Sequence, residues 1–74
     1  MNRNILVLGS GGREYAMVWK LKNEKNIKNI FCIPGNAGTS KIAINKSLPL
    51  NDYNSILDFV KASNIDLIIV GPEN

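Results

Sequence analysis

Short runs of branched and large apolar residues alternate along this chain with longer stretches whose apolar positions recur at helical spacing. The runs fall at residues 5–8, 30–33 and 67–70, each bounded by polar or glycine positions, and they read as strands. Four consecutive apolar residues suit a parallel strand buried on both faces. From residue 13 to 23, Tyr15, Ala16, Val18, Trp19 and Leu21 give a broad apolar face while Lys20, Lys22 and Glu24 lean to water, which predicts a helix. Tyr15, Met17 and Trp19 are expected in the core, with Trp19 also available to face a partner. From 52 to 63, Ile56, Leu57, Phe59 and Val60 recur at helical spacing behind Asn51 or Asp52 as a cap, a second helix. A weaker run at 42–45 reads as a short edge strand, diluted by Ala43 and Asn45 and blunted by Lys46.

The order β-α-β-β-α-β argues for an α/β fold with a parallel sheet. Right-handed crossovers place the two helices on opposite faces, with the run at 30–33 on one side of the run at 5–8 and the run at 67–70 on the other. The expected architecture is a partial doubly wound sheet.

Seventy-four residues make a single small domain, of which about 60% of the unfolded surface is buried. An apolar share of 45% and a charged share of 20% are those of a globular protein and exclude a disordered one. The net charge of +3 includes lysines at 20, 22, 25 and 28, but no aromatic residues interleave with them. That pattern fits a solvated helix face, and neither nucleic acid nor a membrane is expected as a partner. No apolar stretch approaches the roughly 20 residues that span a bilayer, and Met1-Asn2-Arg3-Asn4 leads into a strand without a signal-peptide segment. The single cysteine, Cys32, excludes an internal disulfide and sits in an apolar run, so a buried reduced thiol and a cytoplasmic setting are expected. There is no histidine and no metal-ligand spacing among the six acids, so no metal is expected on this chain.

Candidate chemistry begins where the first run meets Gly9-Ser10-Gly11-Gly12-Arg13-Glu14. Glycines let the backbone turn sharply with N–H groups outward, and the following helix adds unpaired N–H groups and a positive dipole end, the makings of a phosphate cradle. A bare strand-to-helix turn has the same sequence signature. A dinucleotide fingerprint would need a third glycine where Glu14 stands and an acid at the end of the second strand, where Cys32-Ile33-Pro34 stands. Pro34-Gly35-Asn36-Ala37-Gly38-Thr39 offers backbone N–H groups, an amide and a hydroxyl suited to a phosphate or sugar, or else only a turn. Gly71-Pro72-Glu73 follows the third strand. All three segments fall at the carboxyl ends of strands, where open parallel sheets bind ligands. Arg13 reads as a bidentate phosphate donor or a surface ion pair. Glu14 reads first as a helix-dipole residue and second as a substrate contact. Glu73 either accepts a hydrogen bond from an amine or hydroxyl or opens a further helix. No nucleophile and base are paired, so no catalytic residue is assigned.

In this order and spacing, the three segments resemble the N-terminal domain of the phosphoribosylamine-glycine ligase (glycinamide ribonucleotide synthetase) family, over essentially the whole chain. The resemblance implies an ATP-grasp ligase of de novo purine (IMP) biosynthesis with a Rossmann-like, pre-ATP-grasp N-terminal domain. It would join 5-phosphoribosylamine to glycine through an acyl phosphate, with ATP cleaved to ADP and phosphate. The N-terminal domain would help bind the phosphoribosyl substrate, through Gly9, Gly11, Gly12, Arg13 and Glu14, then Pro34, Gly35, Asn36, Gly38 and Thr39, then Gly71, Pro72 and Glu73. ATP and Mg (or Mn) would sit between later domains, so none is expected on this chain alone. Tyr15 stands where the family usually has histidine. Residues 1–74 are accordingly expected to be a partial substrate-binding domain without the ATP-grasp portion, inactive alone. The complete enzyme is expected to be a monomer, and the fragment to self-associate through the apolar edge at 67–70. The alternative is a stand-alone, non-catalytic phosphate- or nucleotide-binding module.

Overall fold

Strand β1 (Arg3–Gly9) is the centre on which the other elements are laid. The computed structural model describes residues 3–9 and 11–70. After β1 come helix α1 (Gly12–Lys22), β2 (Ile27–Pro34), a 3-10 turn (Thr39–Lys41), β3 (Ile44–Asn45), α2 (Tyr53–Ala62) and β4 (Leu67–Val70). All the pairings are parallel and the sheet order is β3-β2-β1-β4. The fold is α/β, a partial Rossmann-like sheet with its two helices, as the periodicity predicts.

The register explains why the strand runs are apolar without alternation. Ile5 lies opposite Ile30, Leu6 opposite Phe31, Val7 opposite Cys32 and Leu8 opposite Ile33. Successive side chains leave a strand on opposite faces. Ile5, Val7, Ile30 and Cys32 therefore form one core with Val18 of α1, while Leu6 and Ile33 form another with Ile56 of α2. Each such burial is worth roughly 1.5–3 kcal/mol. On the second face Phe59 of α2 meets Phe31 edge to face, with ring centres 5.2 Å apart. The helices sit on opposite faces because the chain leaves β1 toward β2 in one direction and reaches β4 in the other.

Local chemistry sets the ends of the elements. Asp52 caps α2, its carboxylate accepting from the Ser55 N–H at 3.3 Å. A polar clasp fixes the start of the sheet. The Asn4 N–H donates to the Asp66 carboxylate at 2.8 Å, and the Asp66 N–H donates to the Asn4 carbonyl at 2.8 Å. The Asn4 amide donates to the carbonyls of Ser63 and Asn64, and its oxygen accepts from Asn29 at 3.1 Å. One side chain thus ties β1 to β2 and to the approach to β4.

Two expectations about α1 need correction. Trp19 is 56% exposed and Tyr15 is also exposed, so neither lies in the core; Met17 is partly buried against it. The stripe facing the sheet is Glu14, Val18 and Leu21, with Met17 alongside, and Tyr15 and Trp19, four residues apart, fall on the flank of that stripe. At the other edge, the expectation of an exposed apolar β4 holds: Leu67, Ile68 and Val70 are exposed, Val70 at 65%. The expected strand at 42–45 is present but shorter, at Ile44–Asn45 beside β2.

Cys32 is a free thiol, fully buried. Burial pushes it above its ordinary pKa, and the hydrogen bond with Thr39 pulls the other way without cancelling the rise.

Asn4→Ala removes the clasp's side-chain bonds and should cost about 1–3 kcal/mol, read as a lowered urea midpoint; an unchanged midpoint would show that the backbone pairing suffices. The raised Cys32 value keeps its stabilising effect while the pH is below the ordinary thiol value. It loses that effect as the pH rises toward the folded value, because the unfolded chain gives up its proton first. Urea midpoints measured through the alkaline range should therefore fall more steeply for the native chain than for Cys32→Ala, and parallel slopes would contradict the assignment.

Candidate functional site

The carboxyl ends of β1 and β2 release two glycine-containing loops side by side. Leaving β1, Gly9 has φ +146°, a conformation that side chains rarely adopt. The space its missing Cβ leaves is taken by Glu14, whose Cγ would lie 2.6 Å from such an atom. Glu14 is only 6% exposed, and its Oε1 accepts from the Gly11 N–H at 2.7 Å. Its carboxylate meets the positive end of α1, in line with the helix-dipole reading. A Cβ at Gly12 would meet nothing within 4 Å, so this glycine is bare toward solvent. Arg13 beside it is exposed.

The second loop is held by its own polar groups. Gly35 has φ +76°, and the Asn45 side chain lies against it where a Cβ would be. The Asn36 N–H donates to the Thr39 hydroxyl at 2.8 Å, and the Thr39 N–H donates back to the Asn36 side-chain oxygen at 2.9 Å. Thr39 has no exposed surface. Its hydroxyl has one proton to give and lies 2.8 Å from the Asn45 side-chain oxygen and 3.1 Å from the Asn36 carbonyl. The Asn45 amide closes the loop by donating to that carbonyl at 2.8 Å.

The loops are joined to each other. The Gly35 N–H donates to the Gly9 carbonyl at 3.3 Å, and the Asn36 side-chain amide donates to the Gly11 carbonyl at 3.2 Å. The Tyr15 ring lies over Gly38, its Cδ1 2.8 Å from where a Cβ would stand. The structure therefore brings Gly9, Gly11, Gly12, Arg13 and Glu14 together with Pro34, Gly35, Asn36, Gly38 and Thr39. Gly71, Pro72 and Glu73 lie outside the described residues; β4 carries the chain as far as Val70, in register with Leu8. Sequence reasoning missed Asn45, whose signal was a polar side chain inside an apolar run, and the packing of Tyr15 on the second loop.

Two hollows lie elsewhere. One of about 360 Å³ is lined by Arg3, Ile5, Asn26, Ile27 and Leu67, toward the amino ends of the strands, and one of about 250 Å³ lies beside β3 near Lys22 and Lys28. Neither gathers converging polar side chains as the carboxyl edge does. Among the described residues no group of His, Cys, Asp and Glu could hold a metal ion, and no helix is long and apolar enough to cross a membrane.

The family model for the phosphoribosylglycinamide synthetase N domain matches residues 3–74. The chain is similar to the phosphoribosylamine-glycine ligase of Rhodopirellula baltica, 47% identical over 70 residues that cover 95% of this chain and 16% of that protein. It is likewise similar to the phosphoribosylamine-glycine ligase of Clostridium acetobutylicum, 45% identical over 69 residues covering 93% of this chain and 17% of that protein. With the human trifunctional purine biosynthetic protein adenosine-3 it shares 37% identity over 75 residues, 99% of this chain and 7% of that one. The chain thus spans about a sixth or less of the length of these curated relatives.

Thr39→Val keeps the shape of a fully buried side chain but removes the hydroxyl that accepts from the Asn36 N–H and donates to the Asn45 oxygen. It should cost about 1–3 kcal/mol in a urea titration, with Thr39→Ser recovering much of the loss. Equal stability of the valine variant would remove the hydroxyl from the list of groups that shape the loop.

Proposed function

Because the chain belongs to the phosphoribosylglycinamide synthetase N-domain family, we propose that its two joined loops form part of the crevice for the phosphoribosyl substrate of a purine-biosynthetic ligase. The reaction is the joining of 5-phosphoribosylamine to glycine, with ATP cleaved to ADP and phosphate. The observation that carries this reading is the pairing of a bare, exposed Gly12-Arg13 start of α1 with a second loop already fixed by Asn36, Thr39 and Asn45. A phosphate at that place would take backbone N–H groups from the helix start and a two-point contact from the Arg13 guanidinium. The Pro34 to Thr39 loop, at its side, would take the sugar. Gly71, Pro72 and Glu73, outside the described residues, are proposed as further substrate contacts.

The described residues offer no cluster for a metal ion. In this proposal ATP and Mg²⁺ or Mn²⁺ are held by the part of the relatives that this chain does not span, and so is the acyl phosphate chemistry. The chain's own task is to bind and orient the phosphoribosyl end, and it forms no product alone. The buried reduced thiol of Cys32 supports a cytoplasmic setting. The apolar β4 edge supports self-association of the chain by itself, whereas the complete enzyme is proposed to be a monomer.

Titration with ribose 5-phosphate, followed by amide chemical shifts, should move Gly12, Arg13, Asn36 and Gly38 together. In the complete enzyme, Arg13→Ala should weaken binding of the phosphoribosyl substrate by roughly 1.5–3 kcal/mol, about 10-fold to 150-fold. Unchanged affinity would return Arg13 to the solvent-facing surface. Product formed by the chain alone from 5-phosphoribosylamine, ATP and glycine would refute the division of labour.

A further inference from the structure

Burying a carboxylate is costly, and Glu14, which has no cationic partner among the described residues, places one inside the glycine turn. Its side chain folds back toward the end of β1, filling the space that the missing Cβ of Gly9 leaves. Oε1 would stand 2.7 Å from a Gly9 Cβ and 3.1 Å from a Gly11 Cβ, so both glycines have their bare sides toward this carboxylate. The N–H of Gly11, the residue just before α1, is spent on it at 2.7 Å.

In a dinucleotide-binding turn the same features serve a ligand. The glycines let a pyrophosphate approach the backbone, and the third glycine lets helix and strand close together. Here the third position carries a side chain with its own negative charge. That side chain takes up volume within the turn, the N–H donor and part of the dipole's attraction. A second anion at Gly11 would have to give up that hydrogen bond and lie next to a like charge. Gly12 is one residue further along and faces open space, and it is under no such constraint.

We infer that Glu14 is a positioning residue that serves as the turn's internal anion. It holds the first loop in shape without a ligand and turns pyrophosphate-bearing ligands away from Gly11, leaving the Gly12-Arg13 side for a single phosphate. The last clause rests on the crevice reading above; the exclusion at Gly11 does not.

The test is an amide-resolved titration of the 74-residue chain with inorganic pyrophosphate, and separately with ribose 5-phosphate. The native Gly11 amide should show no saturable shift at about 10 mM pyrophosphate, weaker than any binding of practical strength. Glu14→Gln keeps the side chain's shape and an acceptor oxygen while removing the charge, and should bind pyrophosphate at Gly11 about tenfold more tightly than the native chain. Glu14→Ala, where it folds, should do the same with the Gly11 N–H freed. A saturable response at Gly11 in the native chain would overturn the inference, and so would a Glu14→Gln variant as unresponsive as the native chain. The ribose 5-phosphate response at Gly12 and Asn36 is read separately: its absence counts against the crevice, while the Gly11 result still decides the role of Glu14.

Discussion

Leu6 and Val7 are neighbours in sequence, leave β1 in opposite directions, and are both fully buried. That demand for cover on two faces at once organises everything else. It puts α1 and α2 on opposite sides of the same strand pair and draws their apolar stripes to the centre of the sheet. The outer strands are left with less cover. It also brings β1 and β2 to an end side by side, which is why their loops meet. The site is thus a by-product of the core: the strands are aligned by apolar burial, and the polar loops are delivered to one edge by that alignment.

What the loops do next is settled by side-chain-to-backbone hydrogen bonds. Asn36, Thr39 and Asn45 satisfy one another and the turn's own backbone, and Asn36 reaches across to Gly11. A loop fixed in this way gives up little conformational freedom when a ligand arrives, so more of the contact energy appears as affinity. The same economy explains why the glycines matter unequally. Gly9 and Gly35 are required by backbone angle and by the side chain lying against each, whereas Gly12 is required by neither.

Much of this was legible in the sequence, for definite reasons. Strands buried on both faces appear as unbroken apolar runs, so β1 and β2 could be read directly; β4 carries the same kind of run, although most of its side chains are exposed here. The ends of β1 and β2 could not be read, because Asn4 and Asn29 extend the sheet by hydrogen-bonding each other and carry no apolar signal. The two loops were legible from glycines placed just after strands. Asn45 was not, since its polarity reads as a weak strand until the fold brings it against Gly35. Trp19 misled for the opposite reason: an aromatic residue at helical spacing suggests the core, but a helix covering only two strands has room for one narrow stripe, and Val18 and Leu21 occupy it.

The contact between Tyr15 and Gly38 ties together two positions far apart in the chain. Any side chain at residue 38 would collide with the ring, and any smaller ring at residue 15 would leave the second loop without its lid. Tyr15 is therefore part of the wall between the two loops as well as a single hydrogen-bonding group. A side chain at residue 38 is admissible only if residue 15 gives up the space that the tyrosine ring takes.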